Sequence, residues 1–230
     1  MRRRTVVEFA GSAALGLWAA FTVLTLAVVG RGGAPLFPDR ALLSWSLGHH
    51  PGAAQTLARG ITYTGTGAVP YVLVALSGLS VGRTRRQRLT AAALWLSCLC
   101  ACQALRLAVM SLVARARPPM GSWATHASGW SFPSGHTTTS AATAGLVVVA
   151  ACLRSPRGRG PVCVLAGVWG VLVGLTRVYL RVHWFSDVIG GWLFAGAWLA
   201  TCLCVAARCL PAGAVRDREA DPADSGARPG

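Results

Sequence analysis

Lysine is absent from this chain of 230 residues, and all 22 basic residues are arginine. Charge of either sign is scarce, at 13% of residues, whereas 53% are hydrophobic. That balance excludes an ordinary water-soluble domain. Acidic residues number only seven, leaving a formal net charge of +15. Such a charge invites a nucleic-acid reading, but the arginines fall in short segments between apolar blocks and form no basic polar domain. Nucleic acid is therefore excluded as a partner. The missing lysine, with the load of Ala, Gly and Val, fits a GC-rich coding bias and carries no chemistry. Internal repeats are also lacking. The eight cysteines lie in or beside apolar blocks, where Cys acts as a small hydrophobe. Cys98, Cys100 and Cys102 alternate along a helix, so neighbours point to nearly opposite sides and cannot jointly hold a metal.

Long apolar runs are what the chain has in quantity. They cover residues 9–30, 61–81, 89–113, 138–153, 162–180 and 188–207. A helix needs about 20 apolar residues to cross a bilayer, and backbone polar groups in lipid must be satisfied within the segment. The pattern predicts an all-α integral membrane bundle of six transmembrane helices over residues 1–207, followed by a disordered cytoplasmic tail at 208–230. The fourth run is short unless its polar start, Thr137 to Ser140, joins the helix. The first run exceeds the length of a signal h-region and has no small-x-small cleavage site, which predicts an uncleaved first span. With the N-terminus inside, fourteen arginines fall on the inner side and seven on the outer. The bias predicts a multi-pass protein of the cell membrane with both termini cytoplasmic. The outer loop at 31–60, with Leu42, Leu43, Trp45 and Leu47, is expected to lie along the interface as an amphipathic helix. Gly170 and Gly174 would let the fifth span approach a neighbour closely.

Polar residues that a bilayer does not explain gather in three stretches. They are Arg115-Ala116-Arg117-Pro118-Pro119, Ser131 to Thr137, and Thr176 to Asp187. In the predicted topology all three emerge on the outer side. His183 and Asp187 are four apart, so the carboxylate reaches one imidazole nitrogen if helix continues there, leaving the other free to attack. Arg117 and Arg177 offer planar forks suited to phosphoryl oxygens. Ser134 and Gly135 precede an expected helix whose free N–H groups favour an anion. His136 stands where it can protonate a leaving oxygen. The set meets the needs of phosphoryl transfer without a metal. His136, His183 and Asp187 are also a chemically feasible metal set, though the surrounding arginines argue for phosphate. Pro118 and Pro119 are expected to end the third helix, Trp123, Trp130 and Trp184 to mark an interfacial belt or flank a lipid entrance, and His49 and His50 to be solvated. His126, between two motifs, is a solvated loop residue or a headgroup contact.

These motifs resemble the type 2 phosphatidic acid phosphatase superfamily, whose signature runs K-x6-R-P, P-S-G-H and S-R-x5-H-x3-D. The second is intact as Pro133-Ser134-Gly135-His136. The third reads Thr176-Arg177, five residues, His183, three residues, Asp187. The resemblance implies a metal-independent phosphatase without a cofactor, acting on a lipid phosphate or polyprenyl diphosphate at the extracytoplasmic face. It implies His183 as nucleophile through a phosphohistidine, Asp187 as its orienter and His136 as general acid. It also implies Arg117, Arg177, Ser134 and Gly135 as phosphate ligands. The family lysine falls on Met110, which carries no charge. Arg106 is one turn earlier on the same face, but helical side chains lean toward the N-terminus, so it is expected to point away. Arg115 and Arg181 are the candidate substitute cations. The alternatives are a catalytically impaired relative that binds or moves phospholipid, and a phosphotransferase; the partners implied are a membrane lipid and the bilayer. Neither the particular lipid nor the oligomeric state follows from the sequence.

Overall fold

The computed structural model describes residues 3–154 and 158–209; apart from its first two residues, the tail expected from 208 lies outside them. The helices are α1 (Arg3–Gly30), α2 (Phe37–Gly48), α3 (Gly52–Thr64), α4 (Ala68–Val81) and α5 (Arg85–Val113). After a turn of 3-10 helix (Met120–Ser122) come α6 (Gly135–Arg154), α7 (Arg159–Tyr179) and α8 (Phe185–Cys209). No strand occurs among the described residues. Five helices, α1, α5, α6, α7 and α8, are each long and apolar enough to cross a membrane, and α3 with α4 makes a sixth, bent by 49°. The expected all-α membrane bundle is the observed architecture.

Three local expectations change. The run at 61–81 is not one helix, because Thr64-Gly65-Thr66-Gly67 breaks it. Gly67 sits at φ 63°, and a Cβ on Gly65 would stand 2.3 Å from Val173, so one glycine makes the turn and the other admits α7. The prolines at 118 and 119 do not end α5. It ends at Val113, where Ala114 adopts the left-handed conformation at φ 46° and its N–H closes on the Met110 carbonyl. The outer loop holds two helices, α2 and α3, instead of one.

Thr137 to Ser140 do join α6, giving it 20 residues. Their hydroxyls are satisfied inside the helix: Thr138 donates to the Ser134 carbonyl at 2.9 Å and Thr139 to the Gly135 carbonyl at 2.8 Å. Back-bonding of this kind makes a polar first turn tolerable at membrane depth. The core lies where α1, α4, α5, α6 and α8 converge on Phe21, Val74, Leu99, Leu146 and Phe194. Phe21 stacks on Phe132 and meets Phe194 edge-on, which seats the 114–134 loop on the bundle. α7 lies against α6 and α8, since a Cβ on Gly170 would be 3.4 Å from Ala144 and one on Gly174 would be 2.7 Å from Trp192. The glycine pair thus admits two neighbours.

The chain reverses so that the 31–36, 114–134 and 180–184 turns share one end. The Arg115 side chain bonds to the Gly33 carbonyl, the Ala124 N–H to the Leu180 carbonyl, and the Ser134 N–H to the Asp187 carbonyl. At the opposite end, Arg3 Nε donates to the Ala207 carbonyl at 2.6 Å.

Candidate active site

The site forms on that shared end, around a cavity of about 630 Å³ lined by His136, His183, Arg106, Arg117, Arg177 and Gly135, with Met110 and Trp130 at its apolar side. The volume is that of an ordinary small-molecule pocket.

His183 lies in the turn before α8 rather than on the helix, so the one-turn spacing works differently from expectation. Asp187 is in the first turn of α8, and its Oδ2 accepts the Trp184 N–H at 2.9 Å, closing the helix N-terminus. The same oxygen stands 3.4 Å from His183 Nδ1, a contact short of a hydrogen bond. On the other side, Arg117 Nη1 is 2.8 Å from His183 Nε2. A guanidinium only donates, so Nε2 is the acceptor and the imidazole proton is assigned to Nδ1, facing the carboxylate. Burial, reinforced by Arg117 and opposed by Asp187, pushes the His183 pKa down to about 4. The ring is therefore neutral at pH 7, with its lone pair toward the cavity.

Arg117 is held in place by backbone carbonyls of Val182, Gly129, Ser128 and Trp130 at 2.7–3.1 Å. Arg177, in the last turn of α7, is 2% exposed and donates Nη1 to Thr62 Oγ1 at 3.0 Å, while its buried Nε has no partner. The last turn of α3 thus gives Arg177 its anchor. Gly135 and His136 open α6, where N–H groups lack a carbonyl one turn back, and His136 makes no side-chain hydrogen bond to any described residue. Ser134 is placed differently from the expectation for a phosphate ligand. Its hydroxyl is fully buried, accepts from Thr137 at 3.0 Å and does not line the cavity.

The two candidate substitute cations face away from the cavity. Arg115 is 1% exposed and sits between two buried carboxylates, Asp187 Oδ1 at 2.6 Å and Asp39 Oδ2 at 2.9 Å. Ser186 donates its hydroxyl to Asp39 and accepts from Arg115, both at 2.7 Å. Asp39 and Asp187 occupy the same position, the third residue, of α2 and α8, and Arg115 bridges the two helix starts. Arg181, at φ 61°, ties the Ser122 and Ser46 carbonyls together. Arg106 reverses its expectation. Its guanidinium extends forward along α5, with Nη1 3.3 Å from Met110 Sδ, and it lines the cavity. The tilt of Cα–Cβ fixes only the first bond; four flexible torsions let arginine reach a polar site against that tilt. Trp184 is buried beneath Arg115, 5.9 Å from guanidinium to ring, and stands in no surface belt.

Sequence reasoning missed Asp39, Thr62 and Gln103. One signal existed for Asp39: before residue 210 the chain has three carboxylates, Glu8, Asp39 and Asp187.

The profile of the PAP2 superfamily matches residues 64–210. Phosphatidylglycerophosphatase B of Bacillus subtilis is 41% identical over 69 residues, which are 29% of this chain and 34% of that protein. An undecaprenyl-diphosphatase of Sulfolobus acidocaldarius is 39% identical over 71 residues, 31% of each chain. A lipid A 1-phosphatase of Rhizobium etli is 39% identical over 84 residues, 36% of this chain and 33% of that one. The matched segments thus span about a third of these relatives' length. The crystal structure of a transmembrane PAP2-type phosphatidylglycerolphosphate phosphatase from Bacillus subtilis superimposes with a TM-score of 0.74 at 24% identity, over 87% of this chain and 98% of that one. A profile match that reaches from the α3–α4 break through α8, and so takes in every motif around the cavity, settles the family: the chain belongs to the PAP2 superfamily.

Proposed function

We propose that the chain is a phosphatase that hydrolyses a lipid phosphate or polyprenyl diphosphate at the extracytoplasmic face through a phosphohistidine intermediate, without a metal. The observation that carries the proposal is the His183 ring, neutral, buried and gripped at Nε2 by Arg117 across from His136 and Arg177. An incoming phosphoryl group displaces the Arg117–Nε2 contact and takes Arg117 and Arg177 onto its nonbridging oxygens. Nε2 forms the bond to phosphorus as the bond to the leaving oxygen breaks, and His136 supplies that oxygen's proton. Asp187 faces the Nδ1–H and stabilises the positive charge that develops on the ring. Water then attacks phosphorus and gives a proton back to His136, which releases inorganic phosphate and restores Nε2. The amides of Gly135 and His136 stabilise the equatorial oxygens. Ser134 serves the first turn of α6 more directly than the phosphate. The guanidinium groups around the cavity favour an anion and oppose a metal cation. The excess of arginines on the segments opposite the site supports the extracytoplasmic orientation.

The test is a panel of phosphatidic acid, phosphatidylglycerol phosphate and undecaprenyl diphosphate on purified protein in detergent, with and without EDTA. Phosphate release from at least one, unchanged by EDTA, is the expected result. Loss of turnover on chelation sinks the metal-free mechanism, and inactivity on all three sinks the hydrolase.

A pH profile follows from the His183 shift. Nε2 attacks only when unprotonated, so the acid limb of kcat/KM, corrected for the substrate's own ionisation near pH ~6, falls as pH drops through about 4, while loss of the proton that His136 donates sets a separate alkaline limb. An acid limb at the ordinary histidine value contradicts this assignment.

A further inference from the structure

We propose that Arg106 is a catalytic phosphate ligand that supplies, from one turn deeper in α5, the cation that Met110 does not. The inference rests on the phosphatase reading above and names a residue outside the signature positions.

Position is the first support. The Arg106 Cζ and Nη1 atoms lie 3.3 Å from where a Cβ on Gly135 would stand, so the guanidinium packs on the first residue of α6, where the unpaired amides begin. Only glycine at 135 leaves that approach unhindered. Arg106 also lines the same cavity as His136, His183, Arg117 and Arg177. It is near enough to Arg117 to add to the lowering of that side chain's pKa, which burial dominates.

Its partners are the second support. Arg106 Nε donates to Gln103 Oε1 at 3.1 Å, and Nη1 rests on the Met110 sulfur, a weak acceptor. Among the described residues no carboxylate pairs with it. A cation within a membrane span without a counter-ion is expensive unless it faces a polar site with a ligand to bind, and an arriving phosphoryl group would be that counter-ion. Gln103 strengthens the case: its Oε1 is held by Arg106, and its Nε2 is buried, has no partner and belongs to the same cavity wall. Gln103 and Arg106, three residues apart on α5, therefore put an unpartnered amide and a guanidinium without a carboxylate on one wall of the cavity. An arginine there presents a planar fork to nonbridging oxygens, where lysine would present a point charge.

The test uses the full chain in detergent with a short-chain phosphatidic acid as probe, comparing wild type, Arg106→Met and the double variant Arg106→Met/Met110→Lys. The first substitution lowers kcat/KM on the order of a hundredfold. Lysine at 110 recovers at least roughly tenfold of that loss, an outcome that a purely structural role for Arg106 does not produce. Arg106→Met within about threefold of wild type overturns the proposal, as does a double variant that melts like wild type without recovering. If the double variant melts early, orthophosphate affinity by calorimetry on Arg106→Gln decides: a loss of roughly tenfold upholds the role and unchanged affinity removes it. Wild type that releases no phosphate, yet binds orthophosphate in an Arg106-dependent manner, sinks the hydrolase and keeps this ligand. Wild type that does neither sinks both.

Discussion

His183→Ala lowers the rate of phosphate release by on the order of 10⁴-fold or more. The size of the effect comes from what remains when the nucleophile goes. In the proposed mechanism Arg117 and Arg177 still bind the phosphoryl group and His136 still faces the leaving oxygen, but the nitrogen that attacks phosphorus, the one in contact with Arg117, is gone. Arg117 already points its Nη1 at the vacated space, so a water admitted there would find a cation in place of a general base. Asp187→Asn should cost less in the chemical step, since the ring keeps its Arg117 contact at Nε2 and loses the charge behind Nδ1, although Arg115 also loses one of its two carboxylates. The check is phosphate release under single-turnover conditions, together with a search for an acid-labile phosphoprotein formed from labelled substrate. Both signals should vanish in His183→Ala while thermal unfolding is retained. A variant with near-wild-type turnover would falsify the nucleophile assignment.

The bundle was legible because a bilayer restricts the choices: each apolar run of sufficient length had to be helical. The site was legible in part for a local reason. Ser131 to His136 and Arg177 to Asp187 are short continuous stretches, so spacing alone showed which groups belong together. What escaped were partnerships between distant segments. Asp39 is 76 residues from Arg115 and 147 from Ser186, and Thr62 is 115 from Arg177; no periodicity connects such pairs. Arg106 escaped for another reason. Its backbone direction was read correctly, but a side chain with four rotatable bonds follows the polar cavity more than its first bond. Arg115 was misjudged as a substitute cation through the same flexibility in reverse: its side chain leaves the cavity for two carboxylates on other helices.

That closure makes Arg115→Met the most damaging change outside the cavity wall. Asp39, Arg115 and Asp187 have side chains fully shielded from solvent, and Arg115 contributes hydrogen bonds to both carboxylates, to Ser186 and to the Gly33 carbonyl. Each carboxylate keeps helix N-terminal donors, the Leu36 and Ser186 N–H groups for Asp39 and the Trp184 N–H for Asp187. Those donors soften the loss of Arg115 but leave two buried negative charges without their cation. Breaking a buried pair in this way destabilises by about 3–5 kcal/mol, read as a melting temperature lower by roughly 10 °C in detergent. Activity falls as well, because Asp187 relaxes away from His183 to reach water or a proton. Arg115→Lys recovers part of the stability and less of the geometry, since an ammonium cannot span both carboxylates with a planar fork. The decisive comparison is Asp39→Asn/Arg115→Met, which removes one of the buried negative charges together with the cation. It should melt above Arg115→Met while remaining poorly active, separating the electrostatic cost of the triad from its positioning of Asp187. If Arg115→Met instead melts within a degree or two of wild type, Arg115 is not the bridge that holds the α2 and α8 starts together, and the carboxylate behind His183 must be fixed by Ser131 and the Trp184 N–H alone.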